Sequence, residues 1–221
     1  MDTSRPTPVR RIGKSGRSIN GTFPAYRGIG PLAYESTLER DFYRALLFDL
    51  SVVDIWVQPV RLRYQHPNGR WFPYVPDALV FYSDGRPPGL FEVKYVEEVV
   101  EKRDLLRCKF RAARHYARSE GHTFALVTEK SIRASAGLLK NMDMLYPFLT
   151  RTVPAGDREA LLAGIAVATP STPRLLLEAF PGERKGALLP VLWHLIATKA
   201  IRADLTIPLT MDSRVWLDGG A

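Results

Sequence analysis

Two apolar runs of strand length, Pro76-Asp77-Ala78-Leu79-Val80-Phe81-Tyr82 and Leu90-Phe91-Glu92-Val93-Lys94-Tyr95, flank the spacer Ser83-Asp84-Gly85-Arg86-Pro87-Pro88-Gly89. The Gly and Pro content of that spacer forces the chain to reverse, so a β-hairpin is expected. Side chains alternate across a strand, which puts Glu92 and Lys94 on one face and Phe91, Val93 and Tyr95 on the other. Asp77 stands where the first strand begins, and pairing can bring its carboxylate beside Glu92. Two carboxylates and an ammonium on otherwise apolar strands are costly to bury unless something holds them.

A divalent cation would hold them. Mg²⁺, or Mn²⁺ in its place, takes hard oxygen ligands: one or two protein carboxylates plus water and phosphate oxygens, a set that Asp77 and Glu92 can begin. Lys94 would then lie beside the attacking water, to orient it, help deprotonate it or neutralise charge on the phosphorane-like transition state. The plainer alternative is a same-face ion pair on an exposed strand with Asp77 in a turn. The full pattern, Pro-Asp, a spacer over positions 78 to 91, then Glu-x-Lys, resembles the PD-(D/E)xK nuclease superfamily. The resemblance implies an α/β fold of restriction-endonuclease type, a mixed sheet flanked by helices.

Composition points the same way. Hydrophobic residues make up 46% and charged ones 24%, as in a globular chain, and no apolar run of membrane-spanning length is present. No charged-then-apolar leader opens the chain, so export and membrane partners are not expected. A single cysteine, Cys108, excludes an internal disulfide and a cysteine-based zinc cluster. His66, His115, His122 and His194 show no i, i+4 pair, which argues against a zinc hydrolase. Net charge +8 and a pI near 9.7 favour a polyanionic partner, nucleic acid first.

The excess of cations is concentrated at the start. Residues 1–33 carry Arg5, Arg10, Arg11, Lys14, Arg17 and Arg27 against Asp2, among Gly, Pro and Ser with no periodicity. A basic arm is expected, with Arg10, Arg11, Lys14 and Arg17 as candidate phosphate contacts; a solubilising tail is the alternative. Residues 34–153 follow as the main domain. Tyr34, Leu38, Phe42, Ala45 and Leu46 recur at helical spacing and predict a helix from Tyr34 to Leu50 with Glu39, Arg40, Asp41 and Arg44 off the buried stripe. Glu39 is either solvated or at the rim of a site beneath the helix.

Val52–Tyr64 and Trp71–Val75 predict a second hairpin through His66-Pro67-Asn68-Gly69-Arg70, with Arg61 and Arg63 on one basic face. Gln58-Pro59 interrupts the first strand, and Gln58 is either a structural amide or a group that orients a phosphate or water. Asp104 can N-cap a helix running to Arg118, with the stripe Leu106, Phe110, Ala113 and Ala117 and with Lys109, Arg107, Arg111, Arg114 and Arg118 on an outer face that is solvated or touches DNA. Thr123–Thr128 completes a strand-helix-strand unit, which predicts a parallel pair.

Taken together, Tyr34-Glu35-Ser36-Thr37-Leu38-Glu39-Arg40-Asp41, Gln58-Pro59, Pro76-Asp77, Glu92-Val93-Lys94 and Thr123 to Glu129 look like the TnsA-type endonuclease subunit of heteromeric transposases. The resemblance implies a catalytic set of Glu39, Asp77, Glu92 and Lys94, with Asp77, Glu92, the Val93 carbonyl and Glu39 as metal ligands and Mg²⁺ as cofactor. Some relatives have glutamine where this chain has Glu92. It also implies cleavage of the 5′ ends of a transposon in double-stranded DNA, a DDE-type partner of the TnsB kind for the 3′ ends, a TnsC-like ATPase as a further partner, and a bacterial, cytoplasmic, DNA-associated protein. The alternatives are a stand-alone restriction or repair nuclease with the same four residues, and a non-catalytic DNA-binding adaptor without need of the carboxylates.

From residue 154 the character changes. Arg158–Ala168, Thr172–Phe180 and Ala187–Ala200 are three helical patterns, and Arg202–Leu205 with Ser213–Leu217 can pair as a wing. A winged-helix-like domain over 154–221 is expected, a kind of module that often places a helix in the DNA major groove. Ala187–Ala200 offers little beyond His194 and Lys199 for reading bases, which favours protein docking or non-specific contact. The chain stops soon after the wing, so a tail reaching the ATPase is expected to be short or missing.

Overall fold

The computed structural model describes residues 20–134, 136–168 and 170–218; the arm residues Arg10, Arg11, Lys14 and Arg17 lie outside them. The chain forms two compact units, Met1–Ala134 and Ser135–Ala221. In chain order the first unit holds β1 (Gly21–Phe23), β2 (Leu32–Tyr34), α1 (Thr37–Leu47), β3 (Val52–Val57), β4 (Leu62–Gln65), β5 (Trp71–Tyr74), β6 (Ala78–Tyr82), β7 (Gly89–Val93), α2 (Val96–Glu101), α3 (Arg103–Ser119), β8 (Thr123–Val127) and α4 (Glu129–Ile132). The second holds α5 (Ala136–Leu149), α6 (Ala155–Val167), α7 (Pro173–Glu178), α8 (Gly182–Ala197), β9 (Arg202–Ala203) and β10 (Val215–Trp216). No described helix is long and apolar enough to cross a membrane.

The frame of the first unit is a mixed four-stranded sheet in the order β3-β6-β7-β8, the flanked α/β arrangement of a restriction-endonuclease-like fold. β6 and β7 are the expected hairpin, antiparallel with Ala78 opposite Phe91. β8 lies parallel to β7, and α3 is the crossover between them. The apolar stripe of α3 is buried as its spacing requires: Leu106, Phe110, Ala113 and Ala117. Asp104 falls inside the first turn, with Lys102 at the cap; a carboxylate there still favours the positive end of the helix dipole.

The expected second hairpin is divided. β3 runs along β6 in the main sheet, whereas β4 and β5 form a separate two-stranded ribbon. The break is at Gln58, whose φ of 48° turns the chain out of the sheet just before Pro59. The ribbon packs its buried Tyr64 and Tyr74 with Leu79, Leu90, Ala113 and Ala117. Its loop reverses at Asn68-Gly69, where Gly69 adopts φ 84° and donates to the His66 carbonyl at 2.8 Å.

Helix α1 departs from its sequence pattern at both ends. Tyr34 belongs to β2, and the helix runs from Thr37 to Leu47 behind the N-cap Ser36, whose Oγ accepts the Glu39 N–H at 3.1 Å. Asp41, expected off the buried stripe, is buried. Arg40 (2.8 Å) and Arg133 (2.9 Å) pair with its two carboxylate oxygens, and Arg133 comes from a distant part of the sequence.

In the second unit α5 packs against α8, which is why the compact units meet at Ala134 rather than at the position 153/154 drawn from sequence. α8 begins at Gly182, before the expected Ala187, and buries Leu188, Val191, Leu192, Leu195 and Ile196. His194 is tied to the Phe148 carbonyl at 2.8 Å. β9 and β10 pair antiparallel, as the second half of the sequence pattern requires. Asn141, on α5, is buried and clamps the segment before β10: its amide donates to the carbonyls of Leu205 (2.8 Å) and Ile207 (2.6 Å), and its oxygen accepts the Leu209 N–H (2.9 Å). Asn141→Ala is expected to lower unfolding stability by about 3 kcal/mol, roughly one per lost bond, measured by urea unfolding.

Candidate active site

The hairpin register determines the centre of the site. One step out from the Ala78–Phe91 pair, Asp77 stands opposite Glu92, and the Asp77 N–H donates to the Phe91 carbonyl at 3.0 Å. The Asp77 carboxylate accepts the Val93 N–H at 2.7 Å. Lys94 leaves the end of β7 and places its ammonium 3.0 Å from Glu92 Oε1 and 3.6 Å from Asp77 Oδ2, while donating to the Val93 carbonyl at 3.0 Å. The ammonium therefore lies at the convergence of three of the four nominated metal ligands, Asp77, Glu92 and the Val93 carbonyl. Glu92 is sealed from below by Tyr74, whose hydroxyl donates to Oε2 at 2.7 Å, and its side chain is only 3% exposed.

Such a cluster is electrostatically unsatisfied. Burial pushes the Glu92 carboxyl up to about 7, and the neighbouring Asp77 charge adds to the push. Burial also raises Asp77, although Lys94 and the Val93 N–H pull it back. Burial alone would lower Lys94, but the charges of Asp77 and Glu92 outweigh it and the ammonium is held above its ordinary value. One cation faces more carboxylate charge than it can neutralise.

Glu39 lines the same cleft. It is the fourth residue of Ser36-Thr37-Leu38-Glu39, and its oxygens accept from Ser36 Oγ (3.2 Å) and the Glu35 N–H (2.9 Å) in a capping-box-like arrangement. Burial first, then the Asp77 charge, raises it to about 6. Among the described residues no three His, Cys, Asp or Glu side chains stand together as a ready-made metal cage. Direct contact is confined to Asp77, Glu92 and Lys94, with Glu39 at the rim.

The cleft has a volume of about 390 Å³, and its walls add residues that the motif did not nominate. Glu35 lines it, and its charge helps raise Asp77. Tyr43 donates to the Asp77 carbonyl at 3.1 Å. Neither Tyr43 nor Tyr74 could be told from an ordinary core aromatic by spacing; only the neighbouring carboxylate and carbonyl reveal their polar ends. Gln58, left open between two readings, is 7% exposed, holds the Asp77 carbonyl through its N–H (2.9 Å), and buries an Oε1 that has no hydrogen-bond partner.

These features fit a hard divalent cation. The candidate donors are all oxygens, no His or Cys lines the cleft, and the Gln58 side-chain oxygen is a further buried acceptor there without a hydrogen-bond partner. Arg61 and Lys109 line the same cleft, Lys109 with its ammonium 5.7 Å from the Tyr74 ring. Arg63, the remaining described candidate for DNA contact, lines a neighbouring groove.

Comparison with protein families adds an independent line. Residues 49–129 match the family described as TnsA-like endonuclease N terminal. The matched span contains Gln58, Asp77, Glu92 and Lys94 and begins after Glu39. No curated protein matched the chain.

Proposed function

We propose, on the match of residues 49–129 to the family described as TnsA-like endonuclease N terminal, that the chain is the Mg²⁺-dependent DNA endonuclease subunit of a heteromeric transposase. It cuts the 5′ ends of the element, a DDE-type subunit of the TnsB kind processes the 3′ ends, and a TnsC-like ATPase is a further partner. The observation that carries this reading is the Asp77–Lys94–Glu92 cluster, carboxylates and an ammonium meeting in one cleft.

Asp77 and Glu92, with the Val93 carbonyl, are the residues that would hold the cation, and Glu39 adds negative charge from the rim. Bound there, Mg²⁺ supplies Lewis acidity toward a phosphoryl oxygen and lowers the pKa of the attacking water. Lys94 keeps its proton between the two carboxylates, so it is suited to donating to water or to a phosphate oxygen and not to removing a proton. Arg61 and Lys109 give the cleft a cationic flank for the phosphates on either side of the break. Attack of water on phosphorus, with departure of the 3′ oxygen, leaves 5′-phosphate and 3′-hydroxyl ends. The β9–β10 pair with α6, α7 and α8 serves as a winged-helix-like module for docking the partner or DNA.

The test is cleavage of transposon-end duplex by the full chain, with and without Mg²⁺ and a DDE-type transposase subunit. Strand cleavage that needs both is expected. Cleavage of arbitrary duplex by the chain alone would assign it to the stand-alone nucleases, and intact DNA in every mixture would refute nuclease function.

A further inference from the structure

A second cleft in the first unit, about 410 Å³, lies between the β4–β5 ribbon and α3. Its walls include Arg63, Trp71, Cys108, Arg111, His115 and Tyr116, and no Asp or Glu lines it. Trp71 is 57% exposed, and the Arg63 guanidinium stands 5.8 Å from its ring centroid. An exposed indole with Arg63 against its ring, in a groove that also holds Arg111 and no carboxylate, is matched to a ligand with a flat aromatic face and a negative charge.

The groove is built from the same elements as the catalytic cleft. α3 supplies Lys109 to one and Arg111 and His115 to the other. β5 carries Trp71 at one end and Tyr74, the hydrogen-bond donor to Glu92, at the other. At about 3.4 Å per residue that separation is about 10 Å along the strand, the scale of a few nucleotides.

We propose that this groove takes an unpaired nucleotide of the DNA strand flanking the cut, its base stacked on Trp71 and its phosphate held by Arg63 and Arg111. A pocket of this volume admits one or two nucleotides and not a double helix, which is the reason for choosing an unpaired base over duplex. The substrate named here rests on the endonuclease reading.

The experiment measures binding by the full chain in EDTA, where no cleavage can intervene, comparing fluorescently labelled blunt duplex with the same duplex carrying a short unpaired tail. The tailed DNA is expected to bind about tenfold more tightly, Trp71→Ala to abolish that preference while leaving blunt-duplex affinity unchanged, and Trp71→Phe to retain most of it. Trp71 is exposed, so thermal melts of the variants should match the parent. Equal affinity for the two DNAs, a preference that survives Trp71→Ala, or an equal loss for both DNAs would overturn the proposal. So would a Trp71→Ala defect confined to capture of the transposase partner, which would make the groove a protein-docking surface. Because the readout is tail preference without divalent ions, it can fail in a chain that cuts DNA and succeed in one that does not.

Discussion

Asp77→Asn is expected to reduce cleavage by on the order of 1000-fold, equivalent to about 4 kcal/mol of transition-state stabilisation, the scale on which a metal-centred site works. The substitution keeps shape. Its amide oxygen can still accept the Val93 N–H that Asp77 accepts at 2.7 Å, and the backbone bonds to Phe91, Gln58 and Tyr43 do not involve the side chain. What is lost is one of the two carboxylates facing Lys94. The same change removes a charge that raises Glu92, so the thermal midpoint should stay level or rise while activity disappears. DNA binding should persist, because the cations that flank the cleft, Arg61 and Lys109, are untouched. Gel-based cleavage and anisotropy binding on one preparation check both halves, and a variant that cuts at the parent rate would remove Asp77 from the chemistry.

The centre of the site was legible because it depends on a hairpin. Once Ser83–Gly89 is taken as a reversal, alternation and pairing place Asp77 opposite Glu92 and bring Lys94 back toward both, and the Ala78–Phe91 register does this. The same local logic recovered the stripe of α3 and the parallel β7–β8 pair. Features that depend on contacts between distant segments were not legible. The burial of Asp41 requires Arg133, which periodicity on one helix cannot supply. The division of β3 from β4 depends on a left-handed Gln58, a conformation that a β-breaking Gln-Pro step permits but does not dictate. The unit boundary moved because α5 finds its apolar partner in α8. Glu39 carried two messages at one position, since Ser36-x-x-Glu39 is a capping signature as well as an acidic residue near the site, and the structure shows it engaged as the first while lining the second.

Lys94→Met is expected to be the most destabilising single change in the cleft. It deletes the only ammonium in direct contact with Asp77 and Glu92 among the described residues and leaves two buried carboxylates facing each other, a loss of about 3 to 5 kcal/mol for a broken buried ion pair. The penalty should depend on pH in a definite direction. The folded-state pKa of Glu92, about 7, lies above its ordinary 4.5, so the folded form holds a proton that the unfolded form releases. Its contribution is therefore most favourable below about pH 4.5 and is lost as pH rises toward 7; Glu39, raised to about 6, follows the same sign over a narrower window. Without Lys94 the decline should extend to higher pH, because the cation that offsets the Asp77 charge is gone. Divalent cations compete with those protons, so Mg²⁺ or Ca²⁺ should raise the melting temperature of the variant more than that of the parent, and more at pH 8 than at pH 5. Melting curves across that range, with EDTA and with Ca²⁺, read the effect without any cleavage assay. A Lys94→Met protein as stable as the parent at pH 8 in EDTA would show that the two carboxylates do not share one buried charge site.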